Sequence, residues 1–184
     1  MKAVLCTEYG PPEVLQLKEL KKPTPGKNEI CIEVFATSVT ASDCIIRGFK
    51  VSGKYRILMG LVIGFKKPRK SIIGMVFAGE VESVGNNVKS LKKGDQVFGF
   101  DRFGFGAYAE YKCIPEESLL VKKAANMNYE EAAAIPYGGL LALYYLKKTC
   151  IRRGQKVLIY GASGAVGTSA VQLAKYFGAD VTGV

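Results

Sequence analysis

The densest chemical signal in this 184-residue chain is a run of seven small residues, Gly161-Ala162-Ser163-Gly164-Ala165-Val166-Gly167. It follows the short apolar, β-branched stretch Lys156-Val157-Leu158-Ile159-Tyr160, which has the texture of a fully buried strand. It precedes a segment in which Val166, Ala170, Ala174 and Phe177 recur on one helical face. Small residues between a strand and a helix allow a tight turn whose backbone can approach a diphosphate. The helix N-terminus then offers free amides and a partial positive charge to the phosphates. Gly167 would let the helix lie close against its strand. Ala162 stands where the strict G-x-G-x-x-G pattern has its first glycine. Two readings follow, a dinucleotide site or a purely structural strand–helix turn, and the strand–turn–helix context favours the first. The residue that would choose between NAD and NADP falls about 20 positions beyond such a turn. Counted from Gly164, that position is Val184, so the choice cannot be read.

Composition narrows the chemistry. The chain contains no histidine, so imidazole is neither metal ligand nor general base here. Five cysteines, Cys6, Cys31, Cys44, Cys113 and Cys150, are scattered without a CxxC pair and read as core residues. The longest apolar run, Ile57 to Phe65, is too short to span a bilayer, and the N-terminus meets charge too early for a signal peptide. A cytoplasmic setting with no membrane partner is the expectation. A net charge of +10 is partly local, because Arg47 to Lys70 is rich in basic residues and holds no acid. That segment reads as a solvated loop with a basic rim, as a lid over a cofactor or substrate, or as a nucleic-acid patch. With no recognition helix, RNA-binding signature or zinc finger, nucleic acid is not expected.

The elements that must position the turn fall into two textures. Residues 1–122 are β-rich, with alternation at Ile30, Ile32 and Val34, a second strand over 76–84, a third over 96–100, and a fourth over 108–113. Their spacing and Gly/Pro punctuation indicate a barrel or sandwich. From residue 123 helical signals dominate. Asn128 with Glu131 marks a helix start, Pro136 should end or restart that helix, and Gly154 is a stop signal. Gly178 suits the residue after the next helix, and Asp180 begins a second strand.

Several ordered motifs make the whole chain resemble the medium-chain dehydrogenase/reductase superfamily, nearest its zinc-free quinone oxidoreductase-like branch. They are Met1-Lys2-Ala3 with Tyr9-Gly10-Pro11-Pro12; Ala36 to Asp43; Ala78-Gly79-Glu80-Val81 with Val84-Gly85; Gly94 to Gly99; Gly106 to Tyr111; and Gly161 to Gly167. The resemblance implies an α/β protein with a β-rich part: a GroES-like β-barrel catalytic domain (residues 1–122), then linking helices and the first βαβ of a Rossmann domain (123–184). It implies NADP or NAD as cofactor, NADP favoured, and hydride delivery to a quinone, enone or carbonyl compound in the cleft between the domains.

The departures are as informative. The zinc alcohol dehydrogenases of the superfamily carry a Cys-His pair where this chain has Thr40 and Ala41, a Gly-His-Glu where it has Gly74-Met75-Val76, and a cysteine where it has Tyr137. Their four-cysteine structural lobe is replaced by the short loop Asp101 to Phe105. No zinc is therefore expected. By position, Thr40 could bond a substrate oxygen or the nicotinamide ribose, or be satisfied by backbone at a strand end. Asp43 is better placed to order the turn or cap a helix than to act as a base. Tyr137 and Leu141 would line the cofactor cleft, or serve ordinary helix packing. The loop from Gly48 to Lys70 is read as a lid over an apolar pocket. Only one strand, one helix and the start of a second strand of the Rossmann sheet are present. The chain is thus expected to be an N-terminal fragment with little turnover of its own, or a homodimer through the exposed Rossmann edge. The competing reading is a non-catalytic module that binds nucleotide or RNA through residues 47–70.

Overall fold

The computed structural model describes residues 1–184, which divide into two compact units, Met1–Ala133 and Ala134–Val184. In the first, β1 (Lys2–Cys6) and β2 (Leu15–Glu19) form an antiparallel hairpin around a 3-10 turn at Pro12–Val14. The sheet beside it contains β3 (Glu29–Ala36), β4 (Val76–Val84), β5 (Gln96–Phe100), β6 (Tyr111–Pro115) and β7 (Leu120–Lys122). Its order is β6-β3-β4-β5-β7, antiparallel throughout. The alternating apolar positions build its core from Ile30, Ile32, Phe77, Val81, Val97 and Ile114. The expected strands over 76–84 and 96–100 form with those bounds. The expected 108–113 strand is shifted, because Ala109 makes only an isolated bridge to Ala3 and regular pairing begins at Tyr111.

Two helices lie between β3 and β4: α1 (Ala41–Gly48) and α2 (Gly53–Ile63). Ile46, Phe49, Ile63, Ile73 and Met75 close a second core there with Cys6. α2 corrects the reading of 48–70 as a loop. Its sequence is apolar on nearly every side, so it shows no 3.6-residue contrast, and only burial of Gly60 and Ile63 reveals which face turns inward.

α3 (Tyr129–Lys148) starts where expected. Glu131 N donates to Asn128 Oδ1 at 2.7 Å, and Asn128 N donates to Glu131 Oε2 at 2.9 Å, a reciprocal cap. It then runs straight through Pro136, against the expectation of a break. A proline inside a helix forfeits one backbone bond at a cost of about 3 kcal/mol, which burial of Ala132, Ala133 and Pro136 offsets. The helix stops before Gly154, at Lys148, with Cys150 in the left-handed region at φ 51°. Cys44 and Cys150 are exposed, so the all-core reading of the cysteines is corrected for those two.

The second unit continues as β8 (Lys156–Ile159), α4 (Ala165–Tyr176) and β9 (Asp180–Gly183), with β8 and β9 parallel. Leu146, Ile159 and Ala174 form its core. The expectation of a fully buried strand is corrected, because β8 pairs only with β9 and leaves Leu158 and Tyr160 exposed. Gly178, at φ 82°, sits just past the end of α4 as expected.

Candidate functional site

The glycine turn joins β8 to α4. Gly161 adopts φ 75°, so the left-handed residue of the turn lies one position ahead of Ala162. Gly161 and Ala162 both donate their amides to Val184 O, at 2.8 and 3.0 Å, which ties the turn to the end of β9. Gly164 caps α4 with ordinary extended backbone, φ −76° and ψ 165°. The first helical bond runs from Thr168 N to Gly164 O at 2.8 Å. The amides of Ala165, Val166 and Gly167 therefore have no carbonyl within the helix to donate to. Ala165 is exposed and Val166 half-buried, so this end of the helix is not sealed inside packed protein. Gly167 is buried, and a Cβ there would overlap Gly161 O and stand 2.7 Å from Ala162 Cα. That is the close helix–strand approach the third glycine of such a turn permits. An open hollow of about 460 Å³, lined by Ala162, Ser163, Thr168, Val171, Gln172 and Gly183 among others, adjoins the turn. The residues present thus fit a diphosphate: free amides, a helix N-terminus and no side chain in the way.

α3 packs against the start of α4 at one point that the sequence does not advertise. A Cβ on Gly138 would meet Ala165 O and lie 3.0 Å from Ser169 Oγ. Tyr137 precedes this contact and Leu141 follows it by one helical turn, which puts both on the part of α3 beside the glycine turn. Tyr137 is half-buried and Leu141 exposed.

Thr40 and Asp43 lie in the first unit, at the N-terminus of α1. Thr40 is the N-cap, and the two residues form a reciprocal capping box. Thr40 N donates to Asp43 Oδ2 at 2.8 Å, and the Thr40 hydroxyl donates to the same oxygen at 2.6 Å. Thr40 is 9% exposed and Asp43 2%. The capping role anticipated for Asp43 is what the geometry displays, and the hydroxyl proton of Thr40 is committed to the carboxylate.

Around this box stands a polar group that the sequence reading missed. Asp43 Oδ1, Arg47 Nε and the Tyr108 hydroxyl are buried without hydrogen-bond partners. Burial, reinforced by the Asp43 charge, pushes the Tyr108 phenol above its ordinary range, although phenol and carboxylate do not meet in hydrogen-bond geometry. Buried polar atoms of this kind take an ordered water or a ligand oxygen as partner. Arg47 was legible, being one turn after Asp43, but Tyr108 arrives from another strand region and left no local signal. Tyr108 also lines an open, mostly apolar hollow of about 490 Å³ with Leu17, Val34, Phe35, Thr37 and Val39.

The loop after β5 is closed by charge. Lys112 Nζ pairs with Asp101 Oδ2 at 2.8 Å and donates to Phe105 O, while Asp101 Oδ1 accepts from Gly104 N at 2.6 Å. Burial lowers the Lys112 pKa, with Asp101 opposing the shift. No three His, Cys, Asp or Glu side chains come together in a group able to hold a metal ion.

Comparison with known proteins now places the chain. The model of the alcohol dehydrogenase GroES-like domain matches residues 26–125, more than half of the sequence. The chain belongs to the medium-chain dehydrogenase/reductase superfamily. Within it, the resemblance is to quinone oxidoreductases. The quinone oxidoreductase of Sus scrofa is 35% identical, with 100% of this chain and 52% of that protein covered. A 2-methylene-furan-3-one reductase of Solanum lycopersicum is 32% identical over 98% of this chain and 46% of its own length. Among solved structures, the Escherichia coli quinone oxidoreductase complexed with NADPH superposes with a TM-score of 0.83 at 32% identity, covering 100% of this chain and 52% of that one. The chain thus spans about half the length of the curated relatives it matches.

Proposed function

We propose that this chain is part of an NADPH-dependent reductase that delivers hydride to a quinone, enone or carbonyl compound without zinc. The observation that carries the proposal is the glycine turn: free amides at the start of α4, flanked by small residues, directly after a parallel strand. The NADPH bound by the Escherichia coli relative, and the quinone and furanone substrates in the relatives' names, support the choice of cofactor and substrate class. In this reading the amides of Ala165, Val166 and Gly167 hold the diphosphate, with Gly161, Ala162, Ser163 and Gly164 shaping the approach. Tyr137 and Leu141 border the bound dinucleotide. When bound, the nicotinamide supplies the hydride, and the protein orients and polarises. Thr40 and Asp43 act as a rigid pair that fixes the start of α1. The absence of a metal-ligating cluster supports zinc-independence. Residues 1–122 serve as the catalytic domain and 123–184 as the linking helix and first part of the nucleotide domain. The setting is cytoplasmic, and the exposed Leu158 side of the two-stranded sheet is the surface through which two copies could pair.

The test has two parts. Titration of the purified chain with NADPH, followed by nicotinamide fluorescence, should show saturable binding that Gly164→Val weakens at least tenfold. That is about 1.4 kcal/mol. The chain joined to the remainder of a relative-length nucleotide domain should oxidise NADPH with a quinone in the presence of chelator. An unchanged Kd in Gly164→Val would remove the turn from the cofactor site, and turnover that requires added zinc would end the metal-free reading.

A further inference from the structure

α2 is apolar on both sides. Its inner side, through Gly60 and Ile63, completes the core with Met59 partly buried against it. Its outer side carries Ile57, Leu58, Leu61 and Val62, which are 67%, 59%, 55% and 41% exposed. Their i, i+1, i+4, i+5 spacing puts all four on one continuous stripe. Tyr55 in its first turn, 63% exposed, extends the stripe along its length, while Phe65 just beyond the helix folds its ring back over Gly60. A further hollow of about 220 Å³ with Val62 and Phe103 on its wall continues the apolar surface past the helix end. Single exposed apolar residues need no explanation, but a contiguous row of them marks a contact surface.

The charges around the stripe identify what it contacts. From Arg47 to Lys70 the chain carries eight basic residues and no acidic one: Arg47, Lys50, Lys54, Arg56, Lys66, Lys67, Arg69 and Lys70. All but Arg47 are exposed. A second copy seated on this face would bring like charges together, which opposes pairing. A nucleic acid would use the cations and the Tyr55 ring but gain nothing from Ile57, Leu58, Leu61 and Val62, which make up most of the stripe, since its bases stack on aromatic rings and its backbone is polar. An anionic bilayer uses both features: the apolar stripe enters the headgroup boundary, and the cations meet the negative surface. The helix itself is 11 residues long, about 16 Å at 1.5 Å per residue, about half the thickness of the hydrocarbon core. It can lie in the interface but cannot cross it.

We propose that the outer face of α2 with its basic flanks is a docking surface for an anionic lipid bilayer. The contact is peripheral and reversible, and it is independent of the cofactor reading above. The chain contains no tryptophan, so Leu61→Trp supplies a single reporter on the exposed stripe. Vesicles of phosphatidylcholine, with and without phosphatidylserine, are the probe. With phosphatidylserine present, the Trp emission should shift to the blue and unmodified protein should float with the vesicles. Binding should fall steeply on raising salt, and each basic residue near the surface should contribute about fivefold. Neutralising Lys66 and Lys67 to Gln should weaken binding by tenfold or more, and Leu58→Asp with Leu61→Asp should do the same. These four side chains are exposed, so circular dichroism and melting should stay near the parent's. The lipid-composition and salt arms use the unmodified chain and do not depend on any variant folding. Absence of binding to phosphatidylserine vesicles would overturn the proposal. So would binding indifferent to the Leu58/Leu61 change, or a dimer in light scattering that the same change dissolves. None of these results would alter NADPH binding at the glycine turn, so the two readings fail separately.

Discussion

Replacing Gly167 with alanine is the most direct test of how the glycine turn is built. A Cβ there would overlap Gly161 O and stand 2.7 Å from Ala162 Cα and 2.8 Å from Gly161 C. Non-bonded carbons prefer about 3.5–4.0 Å, so relief requires α4 to retreat from β8 by roughly 1 Å. All three obstructing atoms are backbone and cannot rotate aside. Overpacking of this kind costs about 1–3 kcal/mol, which for a chain of this size lowers Tm by about 2–4 °C per kcal/mol. Gly164 is the contrast. A Cβ there meets only Gly161 O, at 3.4 Å, and the backbone is ordinary at φ −76°. Gly164→Val should therefore lose at most about 1 kcal/mol, the cost of a poor N-cap, while obstructing the diphosphate. Thermal unfolding by circular dichroism, with hydrogen exchange at Val157 to Ile159 as a local reporter, compares the two. Gly167→Ala should melt lower and exchange faster along β8, whereas Gly164→Val should affect NADPH binding far more than stability. Equal melting of Gly167→Ala and parent would refute the packing argument. A Gly164→Val as unstable as Gly167→Ala would refute the separation of roles.

Other outcomes follow from the same geometry. Asp101→Ala leaves the Lys112 ammonium, 5% exposed, without its carboxylate. Urea unfolding should show a loss of about 3 kcal/mol, at the low end for a broken buried pair because Asp101 keeps some solvent contact. Replacing both partners by Met and Leu should cost far less than that single change. Thr40→Ala removes the hydroxyl that bonds Asp43 and should cost about 1–2 kcal/mol, with Thr40→Ser close to the parent. Thiol labelling at neutral pH should find Cys44 and Cys150 fast and the other three slow, since burial and the neighbouring Cys31 push the Cys113 thiol up to about 12. Between pH 9.0 and about 12 the unfolded Cys113 thiol is ionised while the folded one keeps its proton. Its contribution to stability is whole below pH 9.0 and declines above it. Cys113→Ala should therefore lose less stability than the parent across that window in alkaline urea titrations.

Much was legible in the chain because it concerned backbone needs met within a few residues. The strands over 76–84 and 96–100 follow from alternation and turn residues, and the reciprocal Asn128–Glu131 cap from a three-residue spacing. The strand–glycine–helix turn follows from small residues between an apolar strand and an amphipathic helix, and the diphosphate proposed there rests on what free helix amides can bind. The capping role of Asp43 belongs to the same class, since it depends on Thr40 three residues away.

What tertiary structure alone decided are relations between distant residues, and burial that outweighs local preference. Pro136 stays inside α3 because packing of its neighbours offsets the lost bond, a balance no local pattern contains. α2 is a helix although its sequence has no polar side to reveal the period, because the core accepts one face. Gly138 matters only because α4 lies against it, and Tyr108 because the fold carries it across to the α1 cap, 65 positions from Asp43. Local spacing fixes hydrogen bonds between near neighbours, since their geometry is set by the chain itself. Contacts between remote residues exist only once apolar burial has chosen which faces meet.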